Sequence, residues 1–152
     1  MRSVFLIFEN SLSECISKFF DEYCDTNSNC KIPGKQWYVL NNNDPCLYID
    51  SIPLDENDLC FEDLGTPLLF SRMENPVVWS VDISGRHDGT TEVMELVTLL
   101  LSEFPIYFMD DYTNHFWTLE EITDNKKIEG HCFFDYIGWY EENEKKRADS
   151  TK

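Results

Sequence analysis

Between Val77 and Met109 the chain spells out a strand, a helix and a second strand, an order that points to a sheet with helices packed against it. Val77, Trp79, Val81 and Ile83 alternate with Val78, Ser80 and Asp82, the period of a strand with one apolar face. Ser84, Gly85, Arg86, His87, Asp88 and Gly89 form a polar turn, after which Val93, Leu96, Val97 and Leu100 recur at helical spacing. Asp88 suits the N-cap of that helix, because a short carboxylate can accept from a free N–H of its first turn. Pro105 stops the helix near Phe104, and Ile106 to Met109 resumes as a strand.

A related unit opens the chain. Val4 to Phe8 does not alternate and predicts a strand buried on both faces. Ser11 begins a helix with Glu14 as its capping-box partner, and Leu12, Cys15, Ile16, Phe19, Phe20 and Tyr23 form its apolar stripe. A polar loop is expected from Asp25 to Pro33, then a hairpin of Gln36 to Leu40 and Leu47 to Asp50 around the turn cluster Asn41 to Pro45, ended by Pro53. Asp55 to Leu64 mixes acids with Leu59, Phe61 and Leu64 and fits a short helix or an irregular lobe; Gly65 and Pro67 punctuate it. Further on, Thr118 and Glu121 make a second capping box, with Trp117 against Ile122 as the hydrophobic staple of a short helix. Cys132 to Tyr140 reads as a final aromatic strand, and residues 141–152 as a charged tail, frayed or helical.

At 152 residues the chain has room for one domain, 1–152, with a core of ordinary size. Two strong helices are too few to cover both faces of a sheet. The expected class is therefore α+β: a two-layer sandwich, ferredoxin-like, with helices on one side of a mixed or antiparallel sheet. A parallel three-layer arrangement is the competing topology.

Charge is distributed unevenly over this framework. From Asp44 to Asp124 there are 18 Asp and Glu residues against Arg72 and Arg86, so this window carries a formal −16 of the chain's −17. The same window holds Trp79, Phe104, Phe108, Phe116 and Trp117, so the acid belongs to a folded surface rather than a disordered tail. Such a field keeps a protein soluble, and it also steers basic partners. Direct nucleic-acid binding is disfavoured, since Lys126–Lys127 and Lys145–Arg147 make no basic track. MRSVFLIFEN lacks the long apolar segment and cleavage pattern of a secretory signal, and no stretch is long enough to span a bilayer, so a cytosolic protein with no membrane partner is expected. Six cysteines without a CxxC pair read as buried or scattered thiols.

Catalysis finds little support: there is no GxSxG elbow, no phosphate-cradling loop with its lysine and no HExxH, and no cofactor is implied. The enzymatic alternative is a small metal-dependent hydrolase. Asp82, Asp88, Asp110 and Asp111 could converge at strand ends to hold Mg²⁺ or Ca²⁺, with His115 joining Asp82, Asp88 and Asp110 in the chemistry. Their spacing is not diagnostic.

A protein partner needs water-excluding anchors beside the charge. Asp110, Asp111, Tyr112, Thr113, Asn114, His115, Phe116 and Trp117 combine carboxylates, hydroxyls and aromatics in one loop. The tract of Trp79 to Asp82, Gly85 to Gly89, Glu92, Leu96 and Leu100, and then Asp110 to Tyr112 and His115 to Thr118, resembles small cytosolic immunity proteins of bacterial toxin systems, including contact-dependent growth-inhibition systems. The resemblance implies a non-enzymatic inhibitor that binds a cognate basic toxin domain, often a nuclease, inside the producing cell. Asp110, Asp111, Tyr112, His115, Glu120 and Glu121 are the leading contact residues, and Asp82 and Asp88 the second rank.

Overall fold

The computed structural model describes residues 2–26, 35–51, 75–111, 113 and 115–150. The strands are β1 (Arg2–Glu9), β2 (Asp25–Thr26), β3 (Lys35–Asn41), β4 (Asp44–Ser51), β5 (Pro76–Ile83) and β6 (Tyr107–Asp110). The helices are α1 (Ser13–Tyr23), α2 (Thr90–Glu103), α3 (Leu119–Thr123) and α4 (Tyr136–Ser150). One sheet has the order β2-β3-β4-β5-β1-β6, and all its pairings are antiparallel. The domain is thus α+β with an open antiparallel sheet, and neither a mixed nor a parallel sheet occurs among the described strands. The loop expected from Asp25 to Pro33 opens instead as strand β2, Asp25 and Thr26 pairing with Tyr38 and Trp37 of β3, while the rest of it and the segment from Pro53 to Pro67, with Cys30 and Cys60, lie outside the described residues.

The antiparallel arrangement follows from where the helical connections land. β5 leads through α2 to β6, which pairs not with β5 but with the far side of β1. β1 likewise runs in the same direction as β4, with β5 between them. The connection through α2 steps over one strand and that through α1 over three, so each joins strands of like direction while sheet neighbours oppose one another.

Register then decides which residues are buried. Val4, Leu6 and Phe8 sit opposite Val81, Trp79 and Val77, and Trp37, Leu47, Ile49 and Phe108 join them on the same face. Ile16 and Phe20 of α1 and Val93, Leu96, Val97 and Leu100 of α2 complete the core. At its centre Trp79 meets Phe8 edge-on at 5.0 Å, Trp37 at 5.7 Å and Phe20 at 6.2 Å. The alternation read from Val77 to Ile83 is the one observed.

The helix starts show where local signals hold and where they yield. Thr118 and Glu121 form the expected reciprocal capping box of α3. The proposed box at Ser11 and Glu14 is absent: Asn10 donates its N–H to the Asn75 carbonyl at 3.0 Å, extending the β1–β5 ladder, and a 3-10 turn over Asn10–Leu12 delays α1 to Ser13. Cys15, expected on the apolar stripe, is exposed, because burial centres on Ile16 and Phe20 and Cys15 lies a step round the helix. At α2 the N-cap is Gly89, with Asp88 one residue earlier accepting from the Thr90 N–H at 3.0 Å.

Gly89 has φ +75°, and a Cβ there would lie 2.5 Å from the Cγ2 of buried Ile83. Gly89→Ala is therefore expected to lower the unfolding free energy by about 2–4 kcal/mol, combining left-handed backbone cost with overpacking. Urea denaturation showing a loss under about 1 kcal/mol would contradict that placement.

The final aromatic segment is a correction. Residues 132–135 are not the start of a strand but a turn, in which Asp135 donates its N–H to the Cys132 carbonyl at 3.2 Å and Phe134 has φ +57°. Asp135 then accepts from the Gly138 N–H at 3.1 Å, in the manner of an N-cap, and α4 runs from Tyr136 into the charged tail. Pairs Glu142–Lys146 and Glu144–Arg147 at helical spacing sustain it there.

Candidate functional site

The turn after β6 is organised by Asp110. This residue is 2% exposed; its Oδ1 accepts from the Thr113 N–H at 2.9 Å and the Thr113 hydroxyl at 3.0 Å, and its Oδ2 accepts from the Phe134 N–H at 2.9 Å. The Thr113 hydroxyl in turn accepts from the indole N–H of fully buried Trp117 at 3.3 Å. Asp110 points into the core side of the sheet because it is paired with Val4. Its oxygens serve the fold.

Asp111, one residue on, lies exposed at the surface. It accepts from the Ser3 N–H at 2.7 Å, while the Ser3 hydroxyl donates to Asp82 at 2.6 Å. Ser3 thereby ties together two of the expected contact residues. Across the ladder, Asp82 is opposite Tyr48 and Ser80 is opposite Asp50, so Asp82 and Asp50 share the face turned away from the core. Gln36 donates to Asp50 at 3.0 Å. Although Asp111 is exposed in area, loss of water around its carboxylate raises its pKa, with the charges of Asp110 and Asp82 adding to the rise and the Ser3 N–H opposing it. Burial, then the charge of Asp82, raises Asp50 as well, against the hydrogen bond from Gln36.

His115, Glu120 and Glu121 are elsewhere, around α3. His115 Nε2 lies 2.8 Å from a Glu121 oxygen that Lys126 also approaches at 3.4 Å. Burial works to raise the Glu121 pKa, but the hydrogen bonds from His115 and Thr118 outweigh it and hold the group low. Glu120 is exposed beside it.

Asp88 belongs to a third locality. It accepts from Thr90 and from the Tyr136 hydroxyl at 2.5 Å, and these bonds depress its pKa to about 2. Arg2 donates to the His87 and Asp88 carbonyls and lies 4.4 Å over the Tyr136 ring. Next to it Asp44 holds both His87, at 2.7 Å, and Arg86, at 3.2 Å.

The eight expected residues therefore do not form one constellation. Asp82 and Asp111 come together, as do His115 and Glu121; Asp110 is internal, Asp88 is separate, and Tyr112 lies outside the described residues. Among the described residues no three His, Cys, Asp or Glu side chains are gathered to hold a metal, so the aspartate set required by the hydrolase alternative is dispersed. Ser3, Gln36 and Asp50 were missed in the sequence. The alternation of Leu47, Tyr48, Ile49 and Asp50 marks Asp50 as outward-facing, but its nearness to Asp82 depends on strand order.

No helix among the described residues is long and apolar enough to cross a membrane. No protein-family model, no curated protein and no solved structure matches this chain.

Proposed function

We propose that this domain is a non-enzymatic immunity protein that binds and neutralises a cognate basic toxin domain, a nuclease, in the cytosol of the producing cell. One observation carries the reading. Among the described residues, Asp50, Asp82 and Asp111 have no Lys or Arg side chain in an ion pair, whereas Asp44, Glu121, Glu142 and Glu144 each have one. Their described hydrogen-bond partners are the neutral groups of Gln36 and Ser3. A partner's arginines would supply the basic side chains missing from this face among the described residues, where the N-terminal amino group alone acts on Asp111, at a site where Tyr48 flanks the carboxylates. A nuclease cleft is basic because it attracts phosphate, and occupying that cleft blocks substrate by charge and shape. The reading involves no direct nucleic-acid or membrane contact.

We also assign the fold, within its α+β class, to the ferredoxin-like type. Support comes from the central order β4-β5-β1-β6 with α1 and α2 in its long connections, to which β3 and β2 add an edge.

The test is capture of the partner from the native host at low salt, followed by titration with purified variants. Asp111→Lys is expected to weaken the complex by about 2–5 kcal/mol, mostly through faster dissociation, with the melting temperature little changed and no response to chelator. A partner that binds Asp111→Lys as tightly as the native chain, or chelator-sensitive turnover of a substrate, would overturn the proposal.

A further inference from the structure

His131 is 7% exposed and sits between two carboxylates. Its Nδ1 is 3.1 Å from Asp135 Oδ2, its Nε2 is 2.5 Å from Glu142 Oε2, and the edge of the ring packs against Trp139 at 5.3 Å between centroids. A carboxylate can only accept, and a neutral imidazole has one N–H and one lone pair. Only the imidazolium satisfies both neighbours. Deprotonation turns a lone pair of the buried ring toward one of these carboxylates, which are 40% and 42% exposed and can turn to water instead.

These two carboxylates occupy particular places on α4. Asp135 caps its first turn, where Gly138 makes room: a Cβ at 138 would collide with the Asp135 carboxylate. Glu142 lies about two turns along. His131 itself is fixed by a tight turn in which it exchanges backbone hydrogen bonds with Ile128 at 2.9 and 3.0 Å, through Glu129 and Gly130 at positive φ. The ring thus clamps the first two turns of the helix to a hairpin whose Ile128 packs on the core. Ile137 and Tyr140 are 56% and 65% exposed, and Glu144 to Ala148 are all exposed. At the other end, Tyr136 is held by Asp88 and Arg2.

We propose that His131 is a pH-operated latch for the C-terminal helix, closed when the imidazole is protonated and open when it is neutral. The charged groups that meet the ring are Asp135, from the turn ahead of α4, and Glu142, from α4, the latter also held by Lys146 at 3.5 Å. No other charged side chain among the described residues contacts it. Hydrogen bonding to Glu142, followed by that to Asp135, raises the His131 pKa above its ordinary 6.5 against the opposing effect of burial. The same contact lowers Glu142. Because the folded value is the higher one, the latch contributes fully below pH 6.5 and is lost as pH rises through the folded value. Opening releases Glu142 from the ring two turns into α4, while Tyr136 remains anchored.

Hydrogen exchange of the full chain between pH 6 and 9, corrected for intrinsic rates, tests this directly, alongside a ¹⁵N titration of the His131 ring. Protection of amides 140–147 is expected to fall about two- to fivefold, the effect of losing an ion pair whose carboxylates are 40% and 42% exposed. The midpoint should coincide with the His131 titration. His131→Gln is expected to show the lower protection at every pH. Protection that stays level in the native chain, a midpoint that follows another histidine, or a step retained in His131→Gln would overturn the proposal. If the variant does not fold, agreement or disagreement of the native midpoints decides it.

Discussion

Asp110→Ala is expected to lower the unfolding free energy by about 3–5 kcal/mol, because it leaves buried donors without an acceptor while removing a well-placed side chain. The donors are the Thr113 N–H, the Thr113 hydroxyl and the Phe134 N–H, at 2.9, 3.0 and 2.9 Å. Two of them are backbone groups on different segments, so a single carboxylate pins the turn after β6 to the turn before α4. Asp110→Asn should fall between, since its amide nitrogen presents a donor to a donor. Urea unfolding at neutral pH measures the difference, and a loss under about 1 kcal/mol for the alanine variant would show that these groups find water instead.

This expectation separates two neighbours that look equivalent on the page. Asp110 and Asp111 are adjacent acids, yet their substitutions should act through different quantities. Asp110→Ala weakens any partner complex by depopulating the folded state, whereas Asp111→Lys acts on the bound state with stability preserved. Measuring binding and unfolding on both variants distinguishes a fold contribution from a contact, which binding data alone would not do.

Trp79→Ala is the second large effect, at about 3–5 kcal/mol. Trp79 is 4% exposed and is the ring on which the two layers meet: Phe8 comes from the strand beside it, Trp37 from across the sheet and Phe20 from α1. Deleting it removes transfer energy, leaves a cavity between rigid rings that cannot collapse into it, and dissolves several aromatic contacts at about 0.5–1.5 kcal/mol apiece. Trp79→Phe keeps much of the volume and should cost less than half as much. Denaturant midpoints for the two variants provide the check, and equal losses would mean that the site relaxes around either side chain.

The strands other than β2, and α2, were legible because their signals are local. Alternation from Val77 to Ile83, the stripe from Val93 to Leu100 and the Thr118–Glu121 box each need only a few neighbouring residues, and each appears in the structure. Legibility failed where a distant group competed. The Asn75 carbonyl captured the Asn10 N–H and displaced the start of α1, and the Asp135 cap, with Gly138 beneath it, outweighed the strand propensity of the aromatic run from Cys132. Aromatic content indicates burial, but it does not choose between strand and helix when a cap stands in the middle of the run.

The candidate site divides along the same line. The sequence by itself determined where along the chain the acid is concentrated and that residues such as Asp82 alternate with core residues, and it favoured two helices on one side of a sheet over a three-layer arrangement, because charge and side-chain periodicity are properties of position along the chain. Only the tertiary structure decided which acids are neighbours. It placed β5 between β4 and β1 and so set Asp82 near Asp50, used Ser3 to join Asp82 to Asp111, and turned Asp110 inward to Thr113 and Phe134. Strand order is fixed by how the helical connections cross the sheet and by the burial they achieve together, which is a sum over the whole core and is carried by no segment alone.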